Sequence, residues 1–201
     1  MSKTVTCPVV ATMGSVVTSL TDCPNEFGQI QKLVFWRRGQ SLDAAASAVS
    51  ATVWTAYLAA TGDTKMLVSP LCTAVIPPSE VREVGSGNEV LHGIPRNIGS
   101  QPSKVEGRIW QTDQDTITAL KAIKDEYLSV MFINESGQLM YRLDDSAVKG
   151  FNIHSLWISD MATGSFSDGT YNLFSFFLEP NWSDYARVTA ATTFLLDAVN
   201  S

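Results

Sequence analysis

Apolar and polar positions alternate with a period of two over most of this chain, and in two stretches the apolar spacing lengthens to that of a helix. Residues 29–37 read as the first clear strand. Ile30, Lys32, Val34 and Trp36 point one way and Gln31, Leu33, Phe35 and Arg37 the other, so a strand apolar on both faces is expected to be covered on each side. Residues 65–69 and 72–76 are short strands, broken by Pro70 and stopped by Pro77 and Pro78. Residues 104–111 alternate cleanly, with Val105, Gly107 and Ile109 opposite Glu106, Arg108 and Trp110. Residues 129–133 and 138–143 form a hairpin around the loop 134–137, and 150–160 and 170–179 form another around the polar turn 163–169. Pro180 interrupts, and residues 184–189 resume a strand before a short closing helix in 190–198.

Two internal helices complete the pattern. Leu42, Ala45, Val49, Val53, Ala56 and Ala60 keep helical spacing in an Ala-rich stretch, 43–61, with Asp43 as its cap and Gly62 as its end. The second helix opens at Thr112, with Asp113 and Asp115 suited to its positive N-terminus. Its buried stripe is expected to be Ile117, Leu120, Ile123 and Tyr127, with Lys121, Lys124 and Asp125 towards solvent.

Two segments break the regularity. Residues 1–26 read as an irregular or strand-like arm. Residues 77–103 carry four prolines, Pro77, Pro78, Pro95 and Pro102, and four glycines, Gly85, Gly87, Gly93 and Gly99. Yet Val81, Val84, Val90, Leu91, Ile94 and Ile98 make the segment too apolar for a free linker. It reads as an extended arm or hairpin acting outside its own core, an intersubunit loop; a meander of short strands within one sheet is the alternative. The order of elements predicts an α+β, mainly β, single domain over residues 1–201: an antiparallel β-sandwich or open barrel with one packed helix and a long arm or loop. Aromatic-rich strands with few charges invite pairing through their edges.

Composition narrows the function. Hydrophobic residues make up 45% of the chain and charged residues only 17%, a surface suited to assembly. A net charge of −6 lacks the basic footprint of a nucleic-acid reader. The N-terminus has no compact apolar segment with a small-residue cleavage site, and no stretch approaches a membrane span, so folding in a reducing cytoplasm is expected.

Candidate chemistry is sparse. Cys7, Cys23 and Cys72 are widely spaced, and with His92 and His154 they do not make a zinc motif; three reduced thiols or a Cys7–Cys23 pair are the readings. His154 sits mid-strand with no nucleophile elbow, as a core or interface histidine. Gly85-Ser-Gly87 lacks the Gly-Lys-Ser/Thr ending of a phosphate loop. Asp144 and Asp145 read as a turn, and Arg37 and Arg38 as a solvated strand end or an intersubunit ion pair. Trp36, Trp54, Trp110, Trp157 and Trp182 could build a sugar platform or serve as core and interface aromatics. No catalytic, cofactor or metal residues are assigned, and no enzyme activity is expected.

Three stretches carry a resemblance to tailed-phage virion proteins, especially the small structural proteins of phages infecting Bacteroidetes. They are Cys23-Pro-Asn-Glu-Phe-Gly-Gln-Ile-Gln-Lys-Leu-Val-Phe-Trp-Arg-Arg38, Glu83-Val-Gly-Ser-Gly-Asn-Glu-Val-Leu-His-Gly93, and Pro180-Asn-Trp182 followed by Val188-Thr-Ala-Ala-Thr-Thr-Phe194. The order of elements also resembles tail-tube proteins. That resemblance implies a homo-oligomeric, commonly hexameric, ring stacked into a tube in the virion, made in the host cytoplasm. Strands of each subunit would line a channel, the arm at 77–103 would reach the neighbouring ring, and other tail or neck proteins would be partners. DNA would pass without specific binding, a role the acidic balance suits, and no membrane is involved. A neck, baseplate or capsid-decorating protein is the alternative among virion proteins, and a carbohydrate-binding β-module the alternative outside them.

Overall fold

The computed structural model describes residues 27–85, 95–110, 114–163 and 169–189. The expected N-terminal arm, His92, Gly87, the Thr112 cap with Asp113, Cys7, Cys23 and the closing helix lie outside the described residues.

Twelve strands and two α-helices follow one another as β1 (Ile30–Arg37), α1 (Ala51–Ala59), β2 (Leu67–Val68), β3 (Cys72–Val75), β4 (Val81–Val84), β5 (Arg96–Ser100), β6 (Ser103–Trp110), α2 (Gln114–Ala122), β7 (Leu128–Asn134), β8 (Leu139–Asp144), β9 (Ala147–Lys149), β10 (Phe151–Thr163), β11 (Thr170–Leu178) and β12 (Ala186–Val188). Strands β7, β10, β11, β6, β3 and β1 pair in that order, and β1 returns to β7 along its whole length, so the sheet closes into a six-stranded antiparallel barrel. The class is α+β and mainly β, as the order of elements predicts. Closure, rather than a sandwich or an open sheet, follows from β1 finding partners on both edges.

Two seams of the barrel are thin. Between β1 and β3 the only register pair is Ile30 with Ala74. Where Pro70 interrupts the run from β2 to β3, Ser69 takes over the bonding: its hydroxyl accepts from the Leu33 N–H at 2.9 Å, and its own N–H donates to the Leu33 carbonyl at 2.8 Å. Between β7 and β10 the pairs are Val130–Phe151 and Ser129–Asn152. Gly150 permits that approach, because a Cβ there would lie 2.7 Å from Ser129 Oγ and 2.9 Å from Val130 N.

The barrel separates two cores. Inside it, Leu33, Phe35, Val105, Ile109, Val130, Phe132, Phe151, Phe174, Phe176 and Leu178 pack together, with Ile117 and Leu120 of α2 joining them. Outside it, Val34, Trp36, Met131, Ile133, Leu139, Tyr141 and Val148 form a second core. Leu42, Ala48, Met66 and Trp54 of α1 roof that core, and the Trp54 indole N–H donates to the Ala48 carbonyl at 3.0 Å. Every residue of β7 is buried, as a strand covered on both faces must be.

Three sequence expectations give way to local geometry. The pairing of β1 with β7 shifts register between Ile30 and Lys32, so Ile30 points into the barrel with Leu33 and Phe35, not outward with Val34 and Trp36. The helix expected over 43–61 is split: a 3-10 turn at Ala45–Val49, then α1, with Ser50 extended between them at φ −96° and ψ 111°. Neither Asp43 nor any other side chain caps the 3-10 turn or α1, and the helix stops at Ala59, before Gly62. Finally, α2 ends at Ala122, so Tyr127 falls beyond it and is exposed, while its carbonyl accepts from the Arg38 N–H at 2.8 Å.

Candidate interaction surface

One outer wall of the barrel is roofed by α1, and among the described residues the opposite wall is bare. The bare wall is the outward side of β10, β11, β6 and β3. Alternation places Phe174, Phe176 and Leu178 of β11 inside and Leu173, Ser175 and Phe177 outside. On β6 it places Val105 and Ile109 inside and Lys104, Glu106 and Arg108 outside, as the sequence pattern predicts. Cross-strand register then assembles a grid: Leu173 beside Arg108, Ser175 beside Glu106, Phe177 beside Lys104, Trp157 beside Ser175, and Val75 beside Glu106.

The grid exposes large apolar groups. Val75 is 70% exposed, Trp157 53%, Leu173 39% and Phe177 37%, with no element of the described chain over them. A shallow depression of about 670 Å³ runs between Val75, Arg108, Trp157 and Leu173. Its polar members are mostly paired: Lys104 Nζ lies 2.6 Å from Glu106 Oε1. The Arg108 guanidinium stands 4.9 Å from the Tyr171 ring and 5.9 Å from the Trp110 ring, which themselves lie 5.5 Å apart. Aromatics and arginine on a surface poor in unpaired charge are the composition of a protein contact.

The segment expected as an arm contains a hairpin. β4 and β5 pair only with each other, in a sheet of their own, and continue from the ends of β3 and β6. Val81, Val84 and Ile98 are about half exposed, at 53%, 53% and 49%. The stem is tied by the Ser79 and Ser103 hydroxyls at 2.9 Å and by the Gln101 N–H on the Glu80 carbonyl at 2.8 Å. Among the described residues the hairpin's outer edges are open; free edges also remain in the larger sheet, where β10 pairs with β7 only at Phe151 and Asn152 and β12 and β2 are end strands.

Charged and nucleophilic candidates fall elsewhere. Arg37 ends β1 half exposed, as a solvated strand end, and is held within the chain by a two-point contact to Glu126, at 2.6 and 2.9 Å, and by Asp63. The Glu126 carboxyl is thereby held below its usual range, chiefly by the hydrogen bond from Arg37. His154 is half exposed, not in a core; its Nε2 lies 3.4 Å from both Glu179 Oε1 and Arg38 Nη2. The adjacent Ser155 takes φ +56°, the bulge that lets both Ile153 and Leu156 point inward. Asp145 and Ser146, at φ +48° and +72°, make the two-residue turn into β9, while Asp144 pairs with Lys149 at 2.9 Å. Cys72 is a buried thiol pushed up to about 12 by desolvation. Lys32 is also buried, and desolvation holds its ammonium below the usual lysine range. Among the described residues no cluster of three or more His, Cys, Asp or Glu could hold a metal ion. Among the described residues no helix is long and apolar enough to cross a membrane.

The tryptophans do not converge. Trp36 and Trp54 are fully buried in the outer core, Trp182 packs on Phe151, and Trp157 alone is strongly exposed. Sequence reasoning missed the Val75–Trp157–Leu173–Phe177 grid. Its signal was present: β11 is apolar on both faces, like β1.

The described residues form a small closed-barrel α+β protein whose most developed exposed feature is an apolar wall. No family model matches the chain, and no curated protein matches it. Two solved structures are similar. One is the tail of an empty GTA particle computed with helical refinement in C6 symmetry, at TM-score 0.36 and 17% identity over 80% of this chain and 96% of that one. The other is the virion of a native gene transfer agent (GTA) particle, at TM-score 0.32 and 17% identity over 59% of this chain and 82% of that one.

Proposed function

We propose that this chain is a structural protein of a phage-like virion, and specifically a tail tube subunit that assembles into stacked homo-oligomeric rings through which DNA passes. The observation that carries the reading is the pairing of a bare apolar barrel wall with a free hairpin on one small chain. Apolar groups exposed on this scale, in a grid, mark an interaction site. Assembly would use the wall and the hairpin, where apolar groups are exposed. The net charge of −6 supports a conduit that does not retain DNA, since a channel holding phosphates would slow its passage. The sequence resemblance to tailed-phage virion proteins supports the same reading. The buried Trp36 and Trp54 weigh against a sugar platform.

The test is direct. Purified chain at rising concentration should form rings or short tubes by negative-stain microscopy and a discrete high mass by light scattering. A monomer across the whole range, unchanged by candidate tail or neck partners, would refute the proposal. Rings that cap an isolated neck or baseplate instead of stacking would keep a virion role and remove the tube.

A further inference from the structure

We propose that the β4–β5 hairpin of one copy seats on the bare barrel wall of the next copy, across Trp157, Leu173 and Val75. The inference rests on the reading of the chain as a self-assembling subunit and names the contact that builds the assembly.

A solitary two-stranded hairpin is marginally stable in water, and three strands or a packed face are needed to hold one. Among the described residues β4 and β5 have no third strand and no roof, and Val81, Val84 and Ile98 are exposed. The wall has the converse defect: a broad apolar face over which none of the described residues pack. Each copy carries one of each, so a head-to-tail contact covers both, and repeats into a ring or a filament. The hairpin leaves from the rim of its own wall, where β3 ends at Val75 and β6 begins at Ser103.

Dimensions agree. At about 3.3 Å per residue, the leg from Ser79 to Gly85 reaches roughly 20 Å. Four strands at about 4.8 Å spacing make a wall about 15 Å across. Charges agree as well. Glu80 and Glu83 of the hairpin can meet Lys104 and Arg108 of the wall, and Arg82 and Arg96 can meet Glu106. Such rim pairs select the orientation, while Val81, Val84 and Ile98 would bury against Trp157 and Leu173. A second copy is favoured over an unrelated partner because both halves of the contact are encoded in this one chain.

The experiment uses the full chain with Cys7 and Cys23 replaced by Ser. One preparation carries V84C and the other L173C; they are mixed and oxidised with copper phenanthroline. A disulfide-linked dimer is expected in the mixture, and none when V84C is mixed with K65C on the roofed side. In parallel, W157S and the double variant V81S/V84S should each raise the concentration needed for assembly roughly tenfold or more, the effect of losing a buried anchor. Their thermal midpoints as dilute subunits should match the parent. Rings that form while V84C links to K65C and not to L173C, or that W157S leaves intact, overturn the docking site but keep the self-assembling reading. A parent chain that stays monomeric and gives no cross-link overturns both.

Discussion

Gly107 is the position where barrel closure can be tested with a single methyl group. It lies on β6, pointing into the barrel opposite Ala74 of β3 and Phe174 of β11. A Cβ there would press on the Thr73 carbonyl oxygen and stand 2.5 Å from Phe174 Cζ and 2.7 Å from Phe174 Cε1, where real Cβ atoms essentially never come within 3.0 Å. Phe174 cannot swing away freely, because it is 2% exposed and stacked on Phe176 at 6.0 Å. Relief must come from the backbone of β3, which pairs with β6 over four residues. Overpacking of this kind costs about 1–3 kcal/mol. Replacing a strand glycine by alanine returns roughly 0.5–1 kcal/mol of chain entropy. The net expectation for Gly107→Ala is a loss of about 1–2 kcal/mol, a fall in Tm of roughly 2–8 °C for a chain of this size. Gly169→Ala is the control: nothing lies within 4 Å of its Cβ, so Tm should hold or rise slightly. The assay is thermal unfolding by circular dichroism of dilute subunit, below the concentration of any assembly. A Gly107→Ala protein as stable as the parent would refute the close packing of β3 on β6, and with it the closed barrel.

Further outcomes follow from the same structure. Trp54→Ala removes a fully buried ring from the roof over β1 and β7 and should cost about 3–5 kcal/mol in denaturant unfolding, whereas Trp157→Ser should stay within about 0.5 kcal/mol of the parent. Glu126 has a folded pKa below its ordinary 4.5, so its contribution to stability is present above that value and is lost as pH falls through the depressed one. The Tm of the parent should therefore drop in that acid window, and Arg37→Met should flatten this part of the profile. In a Cys7→Ser/Cys23→Ser background, Cys72, with its thiol pushed up to about 12, should resist alkylation at neutral pH and react only when denaturant unfolds the barrel.

Local chemistry along the chain was enough to place most elements. The alternation of β6, the double-sided apolarity of β1 and the turn 134–137 each depend on residues within a few positions of one another. In that turn, Asn134 Oδ1 accepts from the N–H groups of Ser136 and Gln138, and Gly137 takes φ +74°. Errors arose where one residue changes the phase. The bulge after Ile30 moves that side chain to the other face, and the end of α2 at Ala122 leaves Tyr127 outside. Neither event has a signal in residue type, because the pairing of β1 with β7 spans about a hundred residues. Tertiary structure alone decided that the sheet closes, since closure needs β1 to meet both β3 and β7. It also decided which apolar faces are spent in cores and which remain. Phe176 and Phe177 are neighbours of one residue type, yet the first is fully buried and the second 37% exposed. A strand displays both its faces equally to a sequence reader; only the packing of α1 on one barrel wall, and of nothing among the described residues on the other, leaves the second wall exposed.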